Sequence, residues 1–123
     1  MLVDDDVQSA YVLQRYAVSY GARLTAVSFE MPVVDLAIGV QPAVILLWMS
    51  ADDAPGRAAL RALRTDPRTR TVPIALCAAH EIDRHGWAAE ADRVLVQPVM
   101  YAEFAALLDQ AIQLALRAPD HSG

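Results

Sequence analysis

The sequence contains no lysine and no asparagine, and it has a single cysteine, Cys77. Without lysine, chemistry that needs a Schiff base, a P-loop lysine or a lysine general base is excluded. Without asparagine there is no acceptor for N-glycosylation. One cysteine excludes an internal disulfide framework and a cysteine-rich zinc site. These absences remove several classes of enzyme and metalloprotein from consideration.

The sequence also lacks a long apolar run and an excess of basic charge. The longest unbroken apolar run, Ala43 to Met49, is far too short to span a bilayer. The formal net charge is −5 and the pI is near 4.9. Because phosphate backbones are bound by basic surfaces, we expect no nucleic-acid partner. The opening residues MLVDDD lack the basic and apolar regions of a signal peptide. We therefore expect a cytoplasmic protein with no membrane partner.

The composition is that of one folded domain. Hydrophobic residues make up 55% of the 123 residues and charged residues 20%, whereas disorder needs low hydrophobicity and high net charge. A chain of this size buries about two-thirds of its unfolded surface, which is enough for a core without staples. We predict one domain over residues 1–118 and a frayed tail over residues 119–123.

Apolar runs alternate with amphipathic segments along the whole chain. The runs predict strands at Leu2-Val3, Leu24–Phe29, Ala43–Met49, Val72–Ala78 and Val94–Val96. The amphipathic segments predict helices at Val7–Tyr20, Pro32–Gly39, Arg57–Arg64, Ile82–Ala89 and Tyr101–Leu116. Five strands that alternate with five helices predict a parallel sheet covered on both faces.

Three consecutive aspartates, Asp4 to Asp6, follow the first predicted strand. In open parallel α/β sheets, functional residues lie at the carboxyl ends of the strands. Like charges that close repel each other, and a hard cation with oxygen ligands relieves that repulsion. On an interpretation of equal weight, Asp6 caps the following helix while solvent screens Asp4 and Asp5. The aspartates alone leave both interpretations open.

Four segments carry a resemblance to a known family. VDDD after the first strand, PAVILL in the third, TVPIAL in the fourth and ADRVLVQP at the fifth resemble bacterial response-regulator receiver domains in order and spacing. The stretch LRALRTDPRTRTVPI is similar to that family's third helix and fourth strand. The resemblance covers essentially the whole chain. It implies a flavodoxin-like, doubly wound α/β fold with five helices and a parallel sheet of strand order 2-1-3-4-5.

The resemblance also implies which positions correspond to the family's phosphorylation pocket. Asp4 and Asp5 match the acidic pair that holds Mg²⁺. The position of the phosphate-accepting aspartate, at the end of strand three, falls on Trp48. The hydroxyl residue that ends strand four falls on Ala78, and the lysine before a proline falls on Gln97.

The side chains at these positions do not support phosphoryl transfer. An indole is no nucleophile, so Trp48 cannot form an acyl phosphate. Ala78 has no hydroxyl, and Gln97 has no charge to stabilise a transferring phosphoryl group. The switching aromatic of strand five falls on Val94, which offers no ring. We therefore predict a pseudo-receiver that is not an enzyme, with no cofactor and at most weak residual Mg²⁺ binding.

Receivers generally use the face made by helix four, strand five and helix five for dimerisation and output. The candidate residues around that face are Arg84, Trp87, Arg93, Tyr101, Ile112 and Leu116. Tryptophan, tyrosine and arginine are enriched in interface hot spots, and a surplus apolar stripe on a surface helix commonly marks an interface. A broad stripe that packs internally has equal weight. The leading hypothesis is phosphorylation-independent binding of a protein partner or a second copy through this face.

Several other features carry competing interpretations. An alternative function is a small-ligand sensor that uses the altered pocket beneath Trp48, Ala78 and Gln97. Cys77 lies inside a predicted strand, where a buried and inert thiol is expected. The arginines that recur at helical spacing from Arg57 to Arg64 are interpreted as a solvated face, in preference to a site for an anionic partner.

Overall fold

The chain folds around a parallel sheet. The computed structural model describes residues 1–4, 7–49, 54–79 and 86–117. The strands in this part of the chain are β1 (Leu2–Val3), β2 (Ala26–Val27), β3 (Ile45–Trp48), β4 (Ile74–Ala78) and β5 (Arg93–Val96). Their spatial order is β2-β1-β3-β4-β5, and every neighbouring pair is parallel. The predicted fold class and strand order are confirmed.

Helices connect the strands and cover the sheet. Those described are α1 (Val7–Tyr20), α2 (Val33–Val40), α3 (Ala54–Thr65) and α4 (Tyr101–Arg117). The helix predicted at Ile82–Ala89 differs: residues 80–85 lie outside the described part, and Trp87–Glu90 form a short 3-10 turn. Such turns are common connectors, because their hydrogen-bond geometry does not favour longer runs. In the part of the chain that the structure describes, no helix is long and apolar enough to cross a membrane.

A glycine follows α1 and a proline precedes α2. Gly21 follows α1 with a positive φ of 88°, a conformation that glycine adopts without steric cost. The N–H groups of Gly21 and Ala22 both donate to the Ala17 carbonyl oxygen, at 2.9 Å. Pro32, predicted as the first residue of its helix, occupies the N-cap position of α2, which begins at Val33. Asp6, the predicted cap of α1, lies outside the described residues.

Two apolar layers pack on opposite faces of the sheet. Ile45 and Leu47 of β3 face α2 and α3, while Leu46 between them faces α1 and α4. All three are almost fully buried. This burial on both faces explains why β3 is a continuous apolar run instead of an alternating pattern.

Arg64 joins α3 to the segments that lead into β4 and β5. Its Nε donates to the Glu90 carbonyl oxygen at 2.8 Å, and its Nη1 donates to the carbonyl oxygens of Arg70 and Val72 at 2.9 and 2.8 Å. Its Nη2 contacts the Asp92 carboxylate at 2.7 Å. The interpretation of Arg64 as part of a solvated face is therefore wrong, since its guanidinium bonds are structural.

Candidate functional site

Four of the predicted pocket residues lie at the carboxyl edge of the sheet. Asp4 follows β1, Trp48 ends β3, Ala78 ends β4 and Gln97 follows β5. Because the strands are parallel, their carboxyl ends share one edge, which is where α/β sheets place their sites. Asp5, the other predicted pocket residue, lies outside the described part of the chain.

The side chain of Gln97 bridges two strand ends. Its Nε2 donates to the Met49 carbonyl oxygen and to the Cys77 carbonyl oxygen, both at 2.9 Å. Its backbone N–H donates to the Ala78 carbonyl oxygen at 2.7 Å. A primary amide nitrogen carries two hydrogens, so both donors of this side chain are committed to the backbone. The sequence shows a glutamine here, but it does not predict these two acceptors, which are 48 and 20 residues away along the chain.

Trp48 is half-buried and belongs to the layer beneath α1 and α4. It packs against the apolar cluster that includes Leu46 and Phe104. In the sheet it lies beside Cys77 of β4. The indole therefore extends the core to the carboxyl edge of β3.

Asp4 places negative charge close to Cys77. The backbone N–H of Asp4 donates to the Val27 carbonyl oxygen at 2.9 Å, which holds the residue beside β2, and its Oδ2 atom is buried. Burial raises the pKa of the Cys77 thiol to about 12, and the charges of Asp4 and Glu103 add to the shift. A thiol with so high a pKa stays protonated, which matches the buried, inert cysteine predicted from the sequence.

Ala78 and Val94 occupy tightly packed positions. Ala78 is 1% exposed. Val94 is half-buried and packs against the cluster beneath α2 and α3. Val94 is thus an aliphatic side chain at the border of that cluster.

Asp4 is the carboxylate that the described pocket residues at this edge offer to a magnesium ion. Mg²⁺ takes oxygen ligands in near-ideal octahedral geometry. Among the pocket residues that the structure describes, Asp4 supplies a carboxylate, whereas Trp48 supplies an indole and Gln97 has turned its N–H groups towards the backbone. Within the described ranges, no group of three or more histidine, cysteine, aspartate or glutamate side chains has a metal-binding arrangement.

The predicted interaction face is described in part. Arg93 is half-buried, and its Nη1 donates to Gln110 Oε1 on α4 at 3.0 Å. Tyr101 and Ile112 on α4, the fifth helix of the predicted series, are 38% and 44% exposed. Arg84 lies outside the described residues, as do the side chains of Trp87 and Leu116.

Two exposed side chains beside this face were not predicted. Val96 at the end of β5 is 39% exposed, and Met100 just before α4 is 58% exposed. The sequence offers a weak signal for Val96, since it is the last residue of β5, which lies at the edge of the sheet. Met100 has no sequence signal, because a lone methionine more often packs inside.

Fold and site together define a doubly wound, flavodoxin-like α/β protein with its candidate site at the carboxyl edge of the sheet. Solved structures that match it include receiver domains of bacterial signal-transduction proteins. The receiver domain of a sensor histidine kinase from Pseudomonas aeruginosa PAO1, solved with a magnesium ion coordinated in the active-site cleft, is 26% identical, with a TM-score of 0.77 over 91% of this chain and 94% of that one.

Two further neighbours show the same architecture. The receiver domain of a signal transduction histidine kinase from Syntrophus aciditrophicus is 20% identical, with a TM-score of 0.77 over 99% of this chain and 95% of that one. The receiver domain of nitrogen regulatory protein C is 27% identical, with a TM-score of 0.71 over 94% of each chain. No protein-family model and no curated protein matches the sequence. The chain therefore has the receiver-domain fold, as the resemblance implied.

Proposed function

We propose that this chain is a pseudo-receiver, a signalling domain that acts through protein contacts and does not accept a phosphoryl group. The observation that carries the proposal is the pair of hydrogen bonds from Gln97 Nε2 to the carbonyl oxygens of Met49 and Cys77. The resemblance implies a lysine at this position, whose ammonium pairs with the phosphoryl group. A neutral amide with both donors committed to the backbone supplies neither that charge nor a free donor.

The residue at the end of β3 supports the same conclusion. Trp48 stands where the resemblance implies the phosphate-accepting aspartate, and its indole packs against the layer beneath α1 and α4. An indole cannot form an acyl phosphate, because its nitrogen is a hydrogen-bond donor and no nucleophile. Ala78, at the end of β4, has no hydroxyl to follow a phosphoryl group. The position on β5 where a switching aromatic is implied carries Val94, which is packed in place.

Protein contacts are proposed to occur through the face that comprises Arg84, Trp87, Arg93, Tyr101, Ile112 and Leu116. Support comes from Tyr101 and Ile112, which are large apolar side chains with 38% and 44% of their surface exposed. Contiguous apolar patches at a surface mark interaction sites, and tyrosine is enriched in interface hot spots. We propose a cytoplasmic protein partner or a second copy of this chain as the occupant.

A phosphoryl mimic tests the loss of the switch. We expect no change in Trp48 fluorescence when Mg²⁺ and then beryllofluoride are added, since Trp48 and Gln97 supply neither the nucleophile nor the cation that would hold the mimic. A Trp87→Phe variant isolates the Trp48 signal. Intact-mass measurement after incubation with acetyl phosphate provides a second readout, with no phosphoryl adduct expected. A saturable response to beryllofluoride that requires Mg²⁺ would contradict the proposal.

Charge substitutions test the interaction face. We expect Tyr101→Glu and Ile112→Glu to weaken association, measured by sedimentation at increasing concentration or by capture of the physiological partner. Tyr11→Glu and Val18→Glu are matched controls, because these residues on α1 are 63% and 72% exposed and are not among the residues of the proposed face. Equal effects of the two sets would refute a role for this face.

The small-ligand sensor at the altered pocket remains a second hypothesis. No further observation favours it, since Ala78 is buried and the Gln97 donors are already bonded. A thermal-shift screen against small metabolites tests it, with Gln97→Ala as the variant that should abolish any shift arising there.

A further inference from the structure

A cavity of about 300 Å³ lies at the amino edge of the sheet, opposite the carboxyl edge that carries the candidate pocket. Its walls come from the end of α1, the segment that enters β2, the loop from α2 to β3, and one side of α4. Most of the lining is apolar, including Ala17, Leu24, Val44, Leu108 and Ile112. Ligand sites in proteins are typically concave and apolar, with a few polar groups that orient the ligand.

The residues that line this cavity include Arg23 and Met1, whose α-amino group donates to the Val44 carbonyl oxygen at 2.8 Å. Burial lowers the pKa of that amino group to about 6, so Arg23 supplies the positive charge at neutral pH. Arg23 lines it and is exposed, and it forms no ion pair with a carboxylate in the part of the chain that the structure describes. Thr25 and Gln41 add a hydroxyl and an amide. Tyr20 also lines the cavity, but its hydroxyl already donates to the Asp109 carboxylate at 2.5 Å. An arginine beside an apolar cavity complements a carboxylate, because the guanidinium offers two parallel N–H donors.

The volume of the cavity limits the size of the apolar part of a ligand. A dry apolar cavity of about 150 Å³ accommodates benzene. A cavity of about 300 Å³ accordingly has room for a fused pair of aromatic rings or a medium-length acyl chain. We propose that this cavity binds a small amphipathic carboxylate, with its apolar body between α1 and α4 and its carboxylate against Arg23.

This site is separate from the proposed pseudo-receiver function and does not depend on it. The cavity is lined by residues at the start of β1 and β3 and by α4, whereas Trp48, Ala78 and Gln97 end their strands or follow them. A ligand here would contact Ile112, which also lies on the proposed interaction face. The failure of phosphorylation-independent signalling would therefore leave the cavity proposal standing, and the reverse also holds.

Binding is tested with two carboxylates of different origin, 1-naphthoate and octanoate, and with their neutral carboxamides. We expect saturable binding of at least one carboxylate to the full chain, measured by calorimetry. A surface ion pair contributes up to about 1 kcal/mol, so the carboxylate should bind up to about fivefold more tightly than its carboxamide. Whichever of the two acids binds shows whether the cavity takes an aromatic or an acyl carboxylate.

Methyl NMR locates the ligand. We expect shifts at the methyl groups of Ala22, Leu108 and Ile112, which line the cavity, and none at Leu60 or Ile74, which face the opposite layer. Shifts confined to Leu60 and Ile74 would place the ligand elsewhere and overturn the proposal. Absence of binding by both acids would overturn it too.

Matched variants test the two parts of the site. Arg23→Gln should abolish the preference for carboxylate over carboxamide, whereas Arg15→Gln, which removes the same charge from α1 outside the cavity, should not. Ala22→Leu should fill the cavity and weaken binding at least tenfold, on the order of the loss of one well-packed anchor. Ala58→Leu, on the exposed face of α3, is its control. Equal effects of Arg23→Gln and Arg15→Gln would contradict the assigned role of Arg23.

Discussion

Gln97 gains its importance from the hydrogen-bonding capacity of a primary amide. One nitrogen donates to the carbonyl oxygens of Met49 and Cys77, so a single side chain ties the residue after β3 to β4. A lysine can also donate, but it does so with a charge that needs a compensating anion. The glutamine donates to the two carbonyl oxygens without a compensating anion. A neutral bridge agrees with the proposal that this pocket does not bind a phosphoryl group.

We expect substitutions of Gln97 to rank by their ability to donate. Gln97→Ala should lower the free energy of unfolding by about 1–3 kcal/mol, because it removes the Gln97 donor from the Met49 carbonyl oxygen. The Cys77 carbonyl oxygen keeps its bond from the Met49 N–H, at 2.8 Å. Gln97→Glu should lower it more, since a carboxylate would face those carbonyls. Urea unfolding measures the differences.

The control for this series is Gln113→Ala on the exposed side of α4. Its effect should lie within about 0.5 kcal/mol, as is usual for surface substitutions. If Gln97→Ala were as mild as Gln113→Ala, the bridge would have no energetic significance.

Because the Cys77 thiol is buried, we expect the free energy of unfolding to fall at alkaline pH. Its pKa is raised from 9.0 to about 12, chiefly by burial. Below about pH 8.5 the thiol is neutral in both states; above it, the unfolded chain ionises while the folded chain stays neutral. The stability present at lower pH is therefore lost as the pH rises towards 12, by up to about 1.4 kcal/mol for each pH unit.

The measurement is the free energy of unfolding of the wild type and Cys77→Ala from pH 8 to 11. We expect the difference between the two proteins to change with pH in the stated direction. Ellman's reagent should also leave the folded thiol unmodified at pH 8 and modify it in urea. Rapid labelling of the folded protein would show that the thiol is accessible, against the burial argument.

At the scale of elements, Gly56 sets how closely α3 approaches the end of β3. A Cβ atom built on Gly56 would collide with Sδ and Cε of Met49, and Met49 is 3% exposed. The glycine is thus explained by contact between a helix and a strand end. Its backbone φ is not in the positive region.

We predict that the effect of Gly56→Ala depends on Met49. In the wild type, the helical advantage of alanine over glycine, about 1 kcal/mol, is opposed by the collision. In Met49→Ala, which itself costs about 2–5 kcal/mol, the collision is gone and Gly56→Ala should be stabilising. Urea unfolding of the four proteins gives the coupling energy.

Gly39 in α2 is the matched control, because nothing lies within 4 Å of a Cβ built there. Gly39→Ala should stabilise the protein by about 1 kcal/mol with or without Met49. Additive effects of Gly56→Ala and Met49→Ala would show that the contact between them does not constrain α3.

Arg64 fixes the position of the other end of α3 through hydrogen bonds. It bonds to three carbonyl oxygens and one carboxylate. We expect Arg64→Ala to lower the free energy of unfolding by about 2 kcal/mol, since its partners are partly exposed and solvent replaces some of the lost bonds. Arg61→Ala, one turn earlier and exposed, should have little effect in the same urea titration. Similar losses in both variants would contradict the structural role of Arg64.

The elements differ in how far the sequence reveals them. The apolar runs locate β3 and β4 because both faces of these strands are buried, and Gly21 marks the end of α1 because its conformation favours glycine. β2 is shorter than its apolar run, at Ala26–Val27, because it is an edge strand paired on one side with a two-residue β1. The bonds of Gln97 and Arg64 could not be predicted, since their acceptors are backbone oxygens that only the tertiary fold brings together.

At the scale of the whole molecule, the two edges of the sheet have different chemistry. The carboxyl edge holds Asp4, a bulky indole and an amide bridge, whereas the amino edge opens into an apolar cavity with Arg23 beside it. A metal-dependent receiver gains stability from its ion, because a ligand that binds only the folded state shifts the unfolding equilibrium. The stability of this chain should therefore show how far it depends on Mg²⁺.

We predict that 10 mM Mg²⁺ raises the free energy of unfolding by less than about 1.4 kcal/mol, the value for a dissociation constant of about 1 mM.

Trp48→Asp should make the stability of the protein depend on Mg²⁺. It removes an indole from the apolar layer and so destabilises the metal-free protein, but it adds a carboxylate near Asp4, so that Mg²⁺ restores part of the loss. Trp48→Phe is the control, because it alters the packing without supplying an oxygen ligand. Urea unfolding with and without Mg²⁺ measures all three proteins. If Mg²⁺ stabilised the wild type well above this bound, the chain would have a functional metal site, and the proposed loss of the switch would be contradicted. If Trp48→Asp responded to Mg²⁺ as little as Trp48→Phe, Trp48 would not occupy a ligand position.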